Sequence, residues 1–195
     1  MSDFSKATYG QSYLVTKLNL SGKDKQEKLK VIGNLQSYRC LTVLNLSDND
    51  IEKIHNLDRL ANLKSLNLAR NKIVKLDGLE QCSKLTTLNV NHNLINTIPQ
   101  WLGKKLCSLK CLHLAYNCIN DFAQLSRLQS LADLSVFSFE HNPAIEGLPV
   151  EQGHLEVSGP EELYRLVVLH HLPKLNTLDG REVMPEELHK ANKRG

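Results

Sequence analysis

One sequence motif recurs along the chain at a nearly fixed spacing, and this spacing restricts the possible folds more than any other feature. The motif has leucine or a related apolar residue in the pattern L-x-x-L-x-L, followed by x-x-N. Good copies begin at Leu41, Leu63, Leu85 and Leu109, a weaker one at Leu134 and a degenerate one at Val15. The five asparagines are Asn49, Asn71, Asn93, Asn117 and Asn142, which places successive copies 22, 22, 24 and 25 residues apart. Self-similarity at such a period predicts a solenoid of stacked copies.

Within each copy, the spacing of the apolar residues changes. The last two leucines of L-x-x-L-x-L alternate with polar residues, which is typical of a short half-buried strand. After the asparagine the spacing becomes three, as at Ile51, Ile54 and Leu57, which favours a tight helical or 3₁₀ return arm. We therefore predict an α/β solenoid, a curved right-handed superhelix. A parallel β-sheet is expected on its concave face, short helical or 3₁₀ arms on its convex face and a helical cap at its C-terminal end.

The repeated asparagine lies where the chain turns out of the strand. Backbone N–H and C=O groups at this point would be buried without sheet partners, which is costly. A side-chain amide has donors and an acceptor, so it can bridge neighbouring turns. We predict that the five asparagines form a structural ladder, and that Lys23 interrupts it in the degenerate copy.

Composition shifts along the chain suggest its organisation. We expect a flexible leader at 1–12, a single repeat domain at 13–185 with about six repeats and a cap at 161–185, and a charged tail at 186–195. The apolar residues between Leu163 and Leu169 have helical spacing that stops before Pro173. The stretch 143–160 is rich in Gly, Pro and Glu, and so long a connection is usually functional or mobile.

Charge and cysteine content narrow the setting. The net charge of +3 is small for 195 residues and gives no case for nucleic acid or an anionic membrane. No apolar run approaches the roughly 18 residues that span a bilayer. Five cysteines, an odd number without a paired framework, favour a reducing compartment such as the cytosol or nucleus. We expect Cys82 and Cys107 to be buried, and Cys111 to face the concave groove.

The 22-residue repeats with I-x-x-I/L arms resemble the phosphatase-regulator class of leucine-rich-repeat proteins. The segment YRLVVLHHLPKLNTLDGREV, Tyr164 to Val183, is similar to the cap of that class. Similar modules occur in regulators of type-1 protein phosphatase, in the spliceosomal A-prime protein, in dynein light chain one, and in ciliary and centrosomal proteins. The resemblance covers about residues 15 to 185. It implies a non-catalytic protein–protein interaction scaffold in a ciliary, flagellar or centrosomal assembly. The alternatives are a regulatory subunit of type-1 phosphatase and a protein-binding component of a nuclear ribonucleoprotein.

The strand positions between the leucines are expected to face the groove and to hold a partner protein. The predicted contact residues are Asn45, Asn67, Arg70, Asn89, His92, His113, Tyr116, Ser138 and His141. Tyr and Arg are favoured at interaction hot spots, so the His/Tyr-rich end carries most of this prediction. For the asparagines, and also for the His/Tyr-rich end, the alternative is that a solvated surface simply tolerates these residues.

Catalytic motifs are absent from the sequence. It has no Gly-rich phosphate loop and no nucleophile elbow. His92, His113 and His141 come from neighbouring repeats and lack the close spacing of a structural zinc site. We expect no enzyme activity, cofactor or metal, no membrane insertion, no direct nucleic-acid binding, and a monomer. An exposed first strand at 15–23 leaves pairing with a second chain open.

Overall fold

The computed structural model describes residues 14–148 and 157–193, and within them eight strands form one sheet in sequential order. The strands are β1 (Lys17–Asn19), β2 (Val43–Asn45), β3 (Ser65–Asn67), β4 (Thr87–Asn89), β5 (Cys111–His113), β6 (Val136–Ser138), β7 (Thr177–Leu178) and β8 (Arg181–Glu182). Strands β1 to β7 are parallel, and β7 and β8 form an antiparallel pair. The predicted leader at 1–12 lies outside the described residues.

The register of the sheet places equivalent residues side by side. Leu44 is paired with Leu18 on one side and Leu66 on the other, and Asn45 lies between Asn19 and Asn67. The strand leucine is buried from β2 to β5, while its two neighbours are half-buried on the opposite face. Each repeat thus adds one strand, and the predicted parallel-strand solenoid is confirmed.

A single apolar core runs along the stack between the sheet and the return arms. It is built mainly of leucine and isoleucine and ends near the cap with the fully buried rings of Phe137 and Phe139. Among the described residues, three return arms include short helices: α1 (Leu102–Lys105) and the 3₁₀ helices Phe122–Leu128 and Pro143–Ile145. The arms of the earlier repeats consist of turns.

The C-terminal end of the core is covered by two helices. Helix α2 (Pro160–His171) is the predicted cap helix, and α3 (Pro185–Asn192) packs against it. The guanidinium of Arg165 on α2 is buried and donates to both carboxylate oxygens of Glu187 on α3, at 2.5 and 3.0 Å. Most of the segment predicted as a charged tail is therefore a helix held to the cap by a charged pair.

Two cysteine predictions have opposite outcomes. Cys82 is buried as predicted, but Cys107 is exposed, so that prediction is wrong. The reason is its place in the repeat: Leu106 fills the apolar position that Cys82 fills one repeat earlier, and Cys107 follows it in an exposed turn.

The stretch 143–160 is only partly described. It starts with the 3₁₀ helix Pro143–Ile145, and positions 149–156 lie outside the described residues. None of the helices formed by the described residues is long and apolar enough to span a membrane.

Candidate functional site

The buried asparagines hold the edge of the sheet together. Asn71 donates from Nδ2 to the carbonyls of Leu68, in its own repeat, and Leu46, in the preceding repeat, both at 3.0 Å. Its Oδ1 accepts from the N–H of Ile51, also at 3.0 Å. The same three bonds recur, with equivalent partners, at Asn49, Asn93, Asn117 and Asn142. These bonds fix the turns from which the groove-facing side chains project.

The strand asparagines Asn45, Asn67 and Asn89 form hydrogen bonds within their own repeat, unlike the buried asparagines, which also bond between repeats. In each case Oδ1 accepts, at 3.0 Å, from the backbone N–H two residues further along. The pairs are Asn45 with Ser47, Asn67 with Ala69, and Asn89 with Asn91. Such local side-chain bonds satisfy N–H groups that the sheet leaves unpaired. This gives the asparagine row a structural reason that neither sequence interpretation considered.

His113 replaces asparagine in this row, and the structure compensates for the change. The N–H of Ala115 donates instead to Oδ1 of Asn91, in the preceding repeat, at 2.8 Å. The imidazole of His113 is thereby free to pair with Ser138, with Nδ1 and Oγ 3.0 Å apart. Partial burial lowers the pKa of His113, so its neutral form is favoured.

Four of the predicted contact residues lie in one row on the rim of the groove, directly before the ladder asparagines. The rings of His92 and Tyr116 stack with centroids 4.1 Å apart, and those of Tyr116 and His141 with centroids 4.2 Å apart. Tyr116 is therefore sandwiched between two imidazoles, yet 39% of its surface remains exposed. We call these three residues the ring ladder; Arg70 precedes it in the row and lies 3.9 Å from the carboxylate of Asp48.

The backbone of this rim row is left-handed. The φ angles of Asp48, Arg70, His92, Tyr116 and His141 lie between 55° and 59°. Asp and His tolerate this region better than other residues, whereas a bulky residue such as Tyr is an outlier there. For a residue such as Tyr116, the left-handed conformation costs about 1–2 kcal/mol of conformational free energy.

The ring ladder also has a defined electrostatic environment. Partial burial lowers the pKa of His92, and the positive charge of Arg70 acts in the same direction. A neutral imidazole stacks on Tyr116 without the cost of burying a charge. The neutral form of His92 is therefore favoured at the N-terminal end of the ring ladder, next to the cation of Arg70.

The floor of the groove beside the ladder is small and uncharged from β2 to β6. Its outer row is half-buried and consists of Val43, Ser65, Thr87, Cys111 and Val136. Cys111 thus lies on the predicted face. Short side chains allow the backbone of a bound polypeptide to approach the sheet closely.

One residue that organises the end of the groove was missed in the sequence. Asp179, in the turn after β7, accepts through Oδ1 from the N–H groups of Phe139 and Glu140, at 2.7 and 3.1 Å. Its Oδ2 accepts from the hydroxyl of Tyr164 at 2.6 Å. Burial and the nearby Asp179 carboxylate raise the pKa of Tyr164, so this hydroxyl stays protonated and donates. The cap therefore completes the final repeat.

The three histidines do not form a metal site. His92 and His141 are separated by the ring of Tyr116, and His113 lies in a different row. Across the part of the chain that the structure describes, no three His, Cys, Asp or Glu side chains are grouped closely enough to hold a metal ion.

Comparison with known proteins agrees with this geometry. A leucine-rich-repeat family model matches residues 66–194, and a model of two leucine-rich-repeat copies matches residues 41–81. The chain belongs to the leucine-rich-repeat family. Leucine-rich-repeat folds generally serve as protein-interaction scaffolds, because stacked repeats form an extended concave surface.

Individual leucine-rich-repeat relatives differ in their settings. The chain is 39% identical over 82 residues to the mouse (Mus musculus) protein named centrosomal protein of 72 kDa, a match that covers 42% of this chain but 11% of that protein. A chain in the Drosophila melanogaster SNF/U2A' complex has a TM-score of 0.61 at 22% identity, with 92% of each chain covered. Internalin C2 of Listeria monocytogenes has a TM-score of 0.60 at 23% identity, over 84% of this chain and 60% of that one. The two structural likenesses are likenesses of fold.

Proposed function

We propose that this leucine-rich-repeat domain is a non-catalytic scaffold that holds a segment of a partner protein in its concave groove, anchored at the ring ladder. The observation that carries the proposal is Tyr116, whose exposed ring is sandwiched between two histidines on a left-handed backbone. Asparagine or glycine would fit this backbone with less strain. Strain of this kind clusters at ligand clamps, and its presence is a reason to infer a function.

The ring ladder suits the binding of a partner protein because its side chains are already held in place by one another. The stacked neighbours restrict the rotamers of Tyr116, so a partner loses little side-chain entropy when it packs there. Tyrosine and arginine are enriched at hot spots, and Arg70 lies beside the ladder in the same row. The neutral floor from Val43 to Val136 would lie beneath the backbone of the bound segment.

The proposed setting is a centrosomal or related cytoskeletal assembly. The local identity with the mouse centrosomal protein supports this setting. Fluorescence microscopy of the tagged chain with a centrosome marker tests it. A diffuse signal that never coincides with the marker would remove this part of the proposal.

The binding proposal is tested by affinity capture with a strain-matched variant. The tagged wild-type chain and Tyr116→Asn are used as baits in lysate of the source cells, and the retained proteins are identified by mass spectrometry. Asparagine accepts the left-handed backbone, so the variant removes the ring without adding strain. A hot-spot tyrosine contributes about 2 kcal/mol or more, so the partner should bind about thirtyfold more weakly.

The control variant is Asn120→Ala, at an exposed position on a return arm outside the groove. It should retain the partner as the wild type does. Equal retention by wild type and Tyr116→Asn, at equal thermal stability, would refute the role of the ladder. The identity of the retained protein separates the cytoskeletal setting from a type-1 phosphatase or a nuclear ribonucleoprotein.

A further inference from the structure

The ring ladder stops at the boundary between the last repeat and the cap. His141 has Tyr116 against one face of its ring, and among the described aromatic side chains none stacks on the other face. The next turn cannot supply one, because β7 is only two residues long. Asp179 and Gly180, with φ of 51° and 76°, turn the chain directly into β8.

A groove takes the place of the missing next residue. It has a volume of about 480 Å³ and lies between the turn that carries His141 and the cap residues Pro160, Tyr164 and Arg181. This volume falls within the range of small ligand pockets. The groove is therefore large enough for one long side chain, with His141 on its wall.

The uncompensated charge in this groove is negative. Its two guanidinium groups are already paired, Arg165 with Glu187 and Arg181 with Glu161. The carboxylate of Asp179 already accepts hydrogen bonds from the N–H groups of Phe139 and Glu140 and from the hydroxyl of Tyr164. Two carboxylates remain, Glu140 and Glu146, for which the described part of the chain offers no ion pair.

We propose that this groove is a socket for an arginine side chain of the partner protein. The guanidinium plane continues the ring ladder by stacking on the second face of His141, and its N–H groups donate to the carboxylates of Glu140 and Glu146. The socket rests on the proposed function, because it names one group of the protein held in the groove.

Arginine fits better than lysine for a geometric reason. The guanidinium group is planar, stacks on aromatic faces and donates to carboxylates in a fixed fork, whereas an ammonium group is a compact point charge. A cation over an aromatic ring adds further attraction. A socket with both a ring wall and two carboxylates therefore distinguishes planar cations from other cations.

The test uses three blocked tripeptides, acetyl-Gly-X-Gly-amide, in which X is arginine, lysine or citrulline. Citrulline has nearly the shape of arginine without its charge. Each peptide is titrated into the isotope-labelled full chain, and NMR shifts of His141, Glu140 and Glu146 are followed. The arginine peptide should move these signals and bind about fivefold more tightly than either of the other two.

The variant Glu140→Gln/Glu146→Gln should weaken arginine-peptide binding by about fivefold with unchanged spectra elsewhere. Glu27→Gln/Glu52→Gln makes the same charge change at exposed sites outside the groove and should bind like the wild type. Equal binding of arginine and lysine peptides overturns the socket, as does unchanged arginine binding in Glu140→Gln/Glu146→Gln.

The peptide titration and the Tyr116→Asn capture fail independently. If the partner is no longer captured with Tyr116→Asn but the peptides bind without preference for arginine, the arginine socket is refuted and the proposed function is supported. If the arginine peptide binds as expected while capture is unchanged in Tyr116→Asn, anchoring of the partner at the ring ladder is refuted, whereas arginine recognition by the socket is supported.

Discussion

Replacing Asn93 by alanine removes one member of the asparagine ladder, and the structure shows which bonds are lost. Oδ1 of Asn93 accepts from the N–H of Ile73 at 2.9 Å, and Nδ2 donates to the carbonyls of Leu68 and Val90 at 3.0 Å and to that of Asn91 at 3.3 Å. These carbonyls keep a second donor, because Asn71 also donates to Leu68, Asn117 to Val90 and the N–H of Arg70 to Asn91. Only the N–H of Ile73, which is fully buried, loses its described partner.

An unsatisfied buried donor costs about 1–3 kcal/mol, so Asn93→Ala should lower the free energy of unfolding by about 2 kcal/mol. Asn142→Ala should cost about 1–2 kcal/mol more, because it also leaves the carbonyl of Phe139 without the 2.8 Å bond from Nδ2. No other donor to this carbonyl exists among the described residues.

The free energies are measured by urea denaturation at 25 °C. Circular dichroism and the fluorescence of Trp101, the single tryptophan, should give coincident transitions if unfolding is two-state. The matched control is Asn120→Ala, an exposed asparagine, which should change stability by less than about 0.5 kcal/mol. Two results would refute the assignment of these losses to the hydrogen bonds. One is a decrease in the free energy of unfolding below about 0.5 kcal/mol for Asn93→Ala, and the other is a larger decrease for Asn93→Ala than for Asn142→Ala.

Three further predictions concern single sites. Gly78→Ala should cost about 2 kcal/mol or more in the same assay, because φ is +98° and an added Cβ would lie 2.2 Å from the carbonyl oxygen of Ile54; a neutral result would contradict this. Cys82 should resist an Ellman-type reagent in the native chain, since burial raises the pKa of its thiol to about 11; rapid labelling would contradict its burial. Glu187→Gln should cost about 2 kcal/mol at pH 7, because it leaves Arg165 without its carboxylate partner. The hydrogen bond from Arg165 lowers the pKa of Glu187 in the folded chain. The stability that this pair contributes is therefore present above the unfolded pKa of about 4.3 and is lost as the pH falls through the lower folded pKa. The free energies of unfolding of wild type and Glu187→Gln should consequently become equal in acid.

The fold was largely predictable because equivalent residues of successive repeats pack against one another, so the repeat spacing in the sequence indicates which residues are in contact. Each leucine of L-x-x-L-x-L has an equivalent one period away, so a single stacking rule places Leu44, Leu66, Leu88 and Leu112 in one buried row. The ladder asparagines follow the same rule. Helix α3 carried a local signal that was read as a charged tail: Pro185 at its first position and Glu187, which caps its start. Its docking depends on the long-range pair with Arg165, which no local pattern shows.

The sequence spacing indicated which residues lie together on the rim, but it did not indicate their geometry, and their role in binding stays a prediction. The rim row was read from spacing, but its left-handed backbone gave no glycine signal, because Arg70 and Tyr116 occupy positions where glycine would be expected. The role of Asn45 was hidden because the same residue type suits a solvated strand and a local backbone bond. Asp179 acts on Phe139, 40 residues away, so only the folded chain reveals it.

The most direct test of the central claim is site-specific photo-crosslinking of the partner. Benzoylphenylalanine is placed at position 87 on the groove floor in β4 or, in a separate chain, at position 104 in α1, outside the groove. The account predicts a crosslinked partner from position 87 that disappears when Tyr116→Asn is added, and none from position 104. A partner that crosslinks from position 104 but not from position 87 would contradict binding in the groove.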